Sequence, residues 1–359
     1  MNNKYKWITL AALLAALALP FARQVVAAEF ADALDTPAQP SDLASRGTLT
    51  GLAKAGERLV VVGQRGHILY SDDAGQRWTQ AAVPVSSDLV AVHFPTPLLG
   101  WAVGHDGVVL HSSDAGANWT RQFDGRQVGP RMLEHYQALA AADPQDEVLA
   151  ALVSEAQRMT EEGADKPFLD VWFENERVGY VVGAFNLIFR TDDGGQNWTP
   201  WMERVDNPGA LNLYALRPVG DDLFIVGEQG LVLKQDVSSG RFKAVPTAYN
   251  GSFFGITGKP GVALVFGLRG NVYRSLDGGA SWNKVEIGLP LSITASTVTA
   301  NGRIVLLSQA GHVLVSGDDG ASFELQPENS LAPVAAAQAL DSASLVLAGT
   351  RGVRLLPIE

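Results

Sequence analysis

Two carboxylates and three arginines are the residues whose types and spacing could do chemistry together. Asp106, Glu228, Arg65, Arg269 and Arg351 all fall inside copies of one tetrapeptide, Gly-x-x-Gly. Two carboxylates across a sugar ring hydrolyse a glycosidic bond, and an arginine cluster grips a substrate carboxylate, as a sialidase requires. Both acids, however, are turn residues in a solvated ring, and no tyrosine is clearly placed beside them as nucleophile. The six histidines are His67, His93, His105, His111, His135 and His312, with no His-x-His or His-Glu-x-x-His among them. His67 and His312 share one register, directly after a turn, and read as strand residues. The pairs Asp72-Asp73 and Asp192-Asp193 lack the twelve-residue calcium-loop pattern. No glycine-rich loop runs into a helix with a Walker lysine. The expectation is no catalytic residue, no metal and no cofactor.

The elements carrying these residues repeat. Ser71-x-Asp73-x-Gly75-x-x-Trp78 recurs as Ser112-x-Asp114-x-Gly116-x-x-Trp119, Thr191-x-Asp193-x-Gly195-x-x-Trp198 and Ser275-x-Asp277-x-Gly279-x-x-Trp282. A weaker copy is Ser316-x-Asp318-x-Gly320-x-x-Phe323. Trp78 and Trp119 are 41 residues apart, and Trp198 and Trp282 are 84 apart, two periods. A period of this size with several short strands per unit is a propeller signature. The aspartates accept backbone N–H bonds inside their turns and the tryptophans anchor the outer strand, so both are structural.

The second signature, Gly-x-x-Gly between two strand-like runs, begins at Gly63, Gly104, Gly227, Gly267 and Gly349, with degenerate copies at Gly183 and Ser308. One gap is too long and the rest keep register. The count is therefore seven units with one insertion. Each unit reads as four strands rich in β-branched and aromatic residues, with Gly-x-x-Gly joining the second and third. The last unit is one strand short. The stretch at 29–35 is expected to complete it and close the ring, removing exposed edges. The fold class is all-β: a seven-bladed β-propeller spanning 29–359, with a helical-hairpin insertion at 125–166 between blades two and three. In the insert, Met132 to Ala142 reads as one helix. Asp143-Pro144 reads as the cap of a second, which runs to about Thr160.

Strand alternation puts the insert on the face that carries Arg65, His105, Asp106, Glu228, Arg269 and Arg351. These six, with Arg131, His135 and Tyr136 of the hairpin, are the partner-binding candidates. The hairpin is read as a partner-binding element or a cap over the central channel. Trp101, Trp172 and Phe254 read as core, and Trp201, at an odd spacing from Trp198, as a more exposed aromatic.

Composition narrows the partners. The chain has 359 residues, 47% apolar, no cysteine and a formal net charge of −11. Lys4 and Lys6 followed by the apolar run Trp7–Leu19 and the small residues Val26-Ala27-Ala28 read as a cleavable signal peptide over 1–28, with an uncleaved anchor as alternative. Its removal also removes Lys4, Lys6 and Arg23 and makes the remainder more acidic, which excludes phosphate-backbone binding. Periplasmic export is the expected localisation.

In its repeated strand, Val-Gly-x-x-Gly, strand, Ser/Thr-x-Asp-x-Gly-x-x-Trp pattern, the chain resembles the photosystem II assembly/stability factor family of seven-bladed propellers. Ala102-Val103-Gly104-His105-Asp106-Gly107 with Ser112 to Trp119 shows the pattern whole, and the likeness covers about 29–359. The resemblance implies a non-enzymatic factor that helps assemble or stabilise a membrane protein complex, and an arginine-bearing surface for the partner, here Arg65, Arg269 and Arg351. The helical insert departs from the simplest pattern. The alternatives are a sialidase-like glycoside hydrolase, whose scaffold also carries Asp-box turns, and a non-catalytic carbohydrate-binding propeller. The expected partner is a protein, a membrane complex or transporter component, with carbohydrate as the lesser alternative and no nucleic acid.

Overall fold

A computed structural model describes residues 31–327 and 332–358. Its strands form six four-stranded antiparallel sheets and one three-stranded sheet, each built from consecutive strands. They are the seven blades. Blade one is Leu49–Ala55, Arg58–Gly63, Ile68–Ser71 and Thr79–Gln80 from channel to rim. The second strand of a blade is sandwiched between neighbouring sheets, so it is apolar on both faces; Gly100–Gly104 and Gly179–Gly183 are buried at every residue. The first strand faces the channel on one side and alternates buried with half-buried, as in Leu49–Ala55.

In the first five blades the Gly-x-x-Gly is a one-turn 3-10 hairpin whose third residue is left-handed: Arg65 at φ 58°, Asp106 at 56°, Phe185 at 53°, Gln229 at 52° and Arg269 at 57°. In blades six and seven it is a plain turn without a left-handed third residue. The two glycines serve different needs. The second takes φ > 0, as in Gly107 at 61°. The first is extended, and a Cβ there would stand 2.1 Å from the Asp88 carbonyl oxygen in the case of Gly104. That carbonyl accepts the N–H of His105 at 2.8 Å. Every blade repeats the bond between the residue before its first strand and its own turn, through the carbonyls of Thr48, Pro167, Asn212, Ser252, Ser292 and Pro333.

The Asp-containing turns are closed hydrogen-bonded units. Ser112 Oγ donates to Asp114 Oδ1 at 2.9 Å and accepts Gly116 N–H at 2.9 Å, Asp114 Oδ1 accepts Asn118 N–H at 2.9 Å, and Trp119 Nε1 donates to the Gly116 carbonyl at 2.9 Å. The same serine or threonine, aspartate and glycine bonds recur at Ser71, Thr191, Ser275 and Ser316. Blade four lacks the box. Its last hairpin turns at Asp236 and Gly240 (φ 68°), with buried Phe242 in the anchor's place.

Three expectations are corrected. First, the described part of the 29–35 segment does not pair with the seventh sheet, Val334–Ala339, Ser344–Gly349 and Gly352–Pro357, which has three strands among the described residues. Ala33–Asp35 is a 3-10 turn beside blade one, where Leu34 is buried in the cluster of Val83, Val85 and Trp119 and the Ala33 carbonyl accepts Ser86 N–H at 2.8 Å. Pro37 and Pro40 lack the N–H groups a ladder would need. The segment reaches blade seven farther on, where a Cβ on Gly352 would meet the Ser45 oxygen at 2.0 Å. The ring closes by direct packing of the first strands of blades one and seven.

Second, the first insert helix, α1, starts at Gly125 rather than Met132 and runs Gly125–Ala142 with Pro130 inside, capped by Asp124, which accepts Arg126 N–H at 3.0 Å. Gly125, Gly129 and Pro130 are poor helix formers, and packing overrides them. A Cβ on Gly129 would stand 2.4 Å from Thr160 N, so the glycine lets the two helices meet. Third, the second helix, α2, is Glu147–Glu162 and is capped by Asp146, not Asp143; Asp146 Oδ1 accepts Val148 and Leu149 N–H at 2.8 and 3.1 Å. The proposed signal peptide over 1–28 lies outside the described residues. Among the described residues no helix is long and apolar enough to cross a membrane.

Candidate functional site

The Gly-x-x-Gly turns crown one face, and their backbone is stitched from blade to blade. Asp88 shows the device: its carbonyl holds the blade-two turn, while its side-chain Oδ1 accepts Arg65 N–H of blade one at 2.7 Å. Asn212 does the same for Phe185 N–H at 2.8 Å and Ser292 for Arg269 N–H at 3.3 Å. The left-handed residue of each such turn is therefore held from both blades, and its side chain is turned outward.

On this face Arg65, His105, Arg269 and Arg351 are exposed, while Asp106 is half-buried. Arg65, Arg269 and Arg351 form no ion pair among the described residues. Arginines elsewhere are engaged: Arg58 with Asp72 at 2.7 Å, Arg77 with Asp73 at 2.8 Å, Arg126 with Asp35 at 2.7 Å, and Arg190 with Asp192 at 2.5 Å. Glu228 is also held internally. Its Oε2 accepts Asn212 N–H at 2.9 Å, and its Oε1 accepts the Tyr214 hydroxyl at 3.3 Å. It braces the channel mouth. Asp106 and Glu228 belong to blades two and four with blade three between them, and Glu228 already uses both oxygens, so they do not make the paired acid and base of a glycosidase.

The hairpin packs on the rim rather than over the channel. Val128, Met132, Tyr136, Leu149, Ala156 and Met159 are buried in one cluster with Phe168, Phe189 and Met202 of blade three. Tyr136, expected at a partner surface, is fully buried; its hydroxyl accepts Met202 N–H at 3.1 Å and donates to Glu203 at 3.3 Å. Helical periodicity puts it on the same stripe as Met132, which is also inward. It bolts the hairpin to blade three. His135 is half-buried, with Nε2 3.9 Å from Glu203 Oε1, and Arg131 is exposed and without an ion pair among the described residues. Of the aromatics, Trp101 is core and stacks on Phe173 at 3.6 Å. Phe254 is half-buried in the channel wall, Trp172 is half-buried beside His93 at 6.4 Å, and Trp201 is half-buried between Arg190 and Arg204 at 4.9 and 4.4 Å.

One exposed residue of the face went unrecognised from sequence. Phe185 is 48% exposed at a left-handed position, on a turn fixed by Asn207, whose Nδ2 donates to Asn186 Oδ1 at 2.9 Å. A phenylalanine inside a degenerate Gly-x-x-Asn was the available signal. No cluster of histidine and carboxylate suited to a metal occurs among the described residues.

Comparison with known proteins agrees with this architecture. A family model described as photosynthesis system II assembly factor YCF48 matches residues 39–133 and 150–320. The break between these segments falls at the tip of the helical hairpin. Photosystem II assembly lipoprotein Ycf48 of Synechococcus sp. (strain CC9902) is 26% identical over 156 residues. The match spans 42% of this chain and 46% of that relative, under half its length. A solved structure of YCF48 bound to D1 peptide superposes with a TM-score of 0.64 at 15% identity, over 88% of this chain and 94% of the other. YCF48 from Cyanidioschyzon merolae gives 0.62 at 16% identity, over 89% and 97%. The WD40 propeller domain of Doa1 reaches 0.60 at 9% identity, over 91% and 97%, so these superpositions speak for the fold.

Proposed function

The chain belongs to the photosynthesis system II assembly factor YCF48 family, and from that membership we propose that it is a non-enzymatic, exported protein-binding scaffold that serves the assembly or stability of a cell-envelope membrane protein complex or transporter. The observation that carries this reading is the Gly-x-x-Gly face. Three of its turns present arginines without ion pairs among the described residues, two of them, Arg65 and Arg269, on backbone positions fixed from two blades at once. Cations that are unpaired and held on a rigid frame give up little in order to meet partner carboxylates, so they favour specific, fast association. One family structure is described as bound to D1 peptide, which supports a polypeptide as the class of partner. Export by the N-terminal segment accords with the description of the Synechococcus relative as a lipoprotein.

The test is capture with the full-length tagged protein in its native membranes, using crosslinking and comparing wild type with Arg65→Glu/Arg269→Glu/Arg351→Glu. Each charge meeting a partner carboxylate is worth about 1 kcal/mol or more at an interface. The triple variant is therefore expected to recover at least tenfold less of one membrane complex, at an unchanged melting temperature. Equal recovery of that complex would remove this face from the interface.

A further inference from the structure

The first strands of all seven blades line a central cavity of about 390 Å³. One guanidinium reaches into it. Arg217, on the first strand of blade four, Leu213–Val219, has a side chain 37% exposed. Its Nη1 is saturated: it donates to Asp170 Oδ2, to the Leu216 carbonyl at 2.7 Å and to the Val171 carbonyl at 3.4 Å. Asp170 is only 2% exposed, and it accepts two more bonds, from Leu216 N–H at 2.8 Å and Val171 N–H at 2.9 Å. The guanidinium is thereby fixed across the seam of blades three and four by one of its nitrogens.

The other two nitrogens are unused. Nε and Nη2 have no acceptor among the described residues, and neither is sealed away from the cavity. Together they form the side edge of the guanidinium, whose two parallel N–H groups match the two oxygens of a carboxylate. Asp170 already balances the charge of Arg217. Beside this neutral pair a single carboxylate adds one uncompensated negative charge and a dianion such as phosphate adds two, so the smaller charging penalty in this part-buried site favours the carboxylate. Leu52, Leu169, Tyr214 and Phe254, the last two edge-to-face at 5.7 Å, give this cavity an apolar stretch of wall for a short chain, within a lining that also carries Thr50, Thr294, Ser296 and Gln338. The volume lies in the range of small-molecule sites.

We propose that the central channel binds a small monocarboxylate with an apolar body, held in bidentate fashion by Arg217 Nε and Nη2. This site is separate from the arginines of the outer face and stands or falls without them.

The test is calorimetric titration of the intact protein with hexanoate, with hexanamide and inorganic phosphate as comparisons. Hexanoate is expected to bind saturably at one site at millimolar concentration, with no response to hexanamide. Arg217→Lys keeps a cation beside Asp170 but loses the planar fork, and is expected to weaken binding about tenfold or more. Ala335→Trp fills the channel from blade seven, away from the Asp170–Arg217 clamp, and is expected to abolish binding; it carries the test if Arg217→Lys does not fold. No saturable binding of hexanoate, unchanged affinity in either folded variant, or tighter binding of phosphate would overturn the proposal.

Discussion

A side chain's role here is decided by whether its polar atoms are already spent. Glu228 and Tyr136 looked like surface chemistry, and both turn out to be braces. Arg65, Arg269 and Arg351 have nothing to hold within the described chain. Tyr136 makes the distinction measurable. Tyr136→Phe leaves the ring in the core and removes the acceptor of the buried Met202 N–H, a loss worth about 1–3 kcal/mol. The expected outcome is a lower denaturation midpoint with partner capture intact. Loss of capture at unchanged stability would return Tyr136 to the interface. The Asp-box carboxylates are spent in the same way. The Arg77 guanidinium and N–H hold Asp73 down to about 2, and the Ser281 hydroxyl and N–H do the same for Asp277.

The helical hairpin is the element that separates this chain from a plain ring of blades. Its sequence is a poor helix at the start, and the helix exists because blade three supplies a surface to bury against. Gly129 records that dependence, since the backbone of α2 fills the place of its Cβ. Gly129→Ala raises intrinsic helix propensity but forces the helices apart. The expected result is a loss of about 1–3 kcal/mol, read from the shift in urea midpoint. A gain in stability, as propensity alone predicts, would show that the helices do not cross at this point. Residues 134–149, at the hairpin tip, fall outside the two segments matched by the family model, so the tip is where this chain departs from the family pattern.

For the whole molecule, stability should fall with acid in two stages. Desolvation pulls His93, partly buried beside Trp172, down to about 3, with the positive charge of Arg217 adding to the effect. Burial also lowers His67 and His111. A histidine with a depressed folded pKa gives stability that is full above its unfolded value near 6.5 and lost as pH falls toward the folded one. The depressed carboxylates Asp73, Asp277 and Asp318 follow the same sign lower down, their contribution lost between about 4 and 2. Asp170 runs the other way, because burial raises it. Calorimetry from pH 8 to pH 3 should show a flat melting temperature above about 7, a first decline below about 6.5, and a steeper one below about 4. A melting temperature that stays flat down to about 4 would remove the histidine stage.

Much of this protein was legible along the chain because a repeat fold is nearly one-dimensional: each blade needs the same turns at the same spacing. The 41-residue period, the seven units, the place of the insert and the structural role of the Asp boxes follow from local backbone chemistry that a serine, an aspartate and a glycine carry wherever they recur. What depends on contact between blades was not legible. The burial of Tyr136, the helix across Gly129 and Pro130, the packing of Leu34 on blade one in place of a closing strand, and the pairing of Asp170 with Arg217 across a seam each join residues that sequence order does not bring together. Only the closed ring brings them together, because a blade's faces find their partners in the next blade.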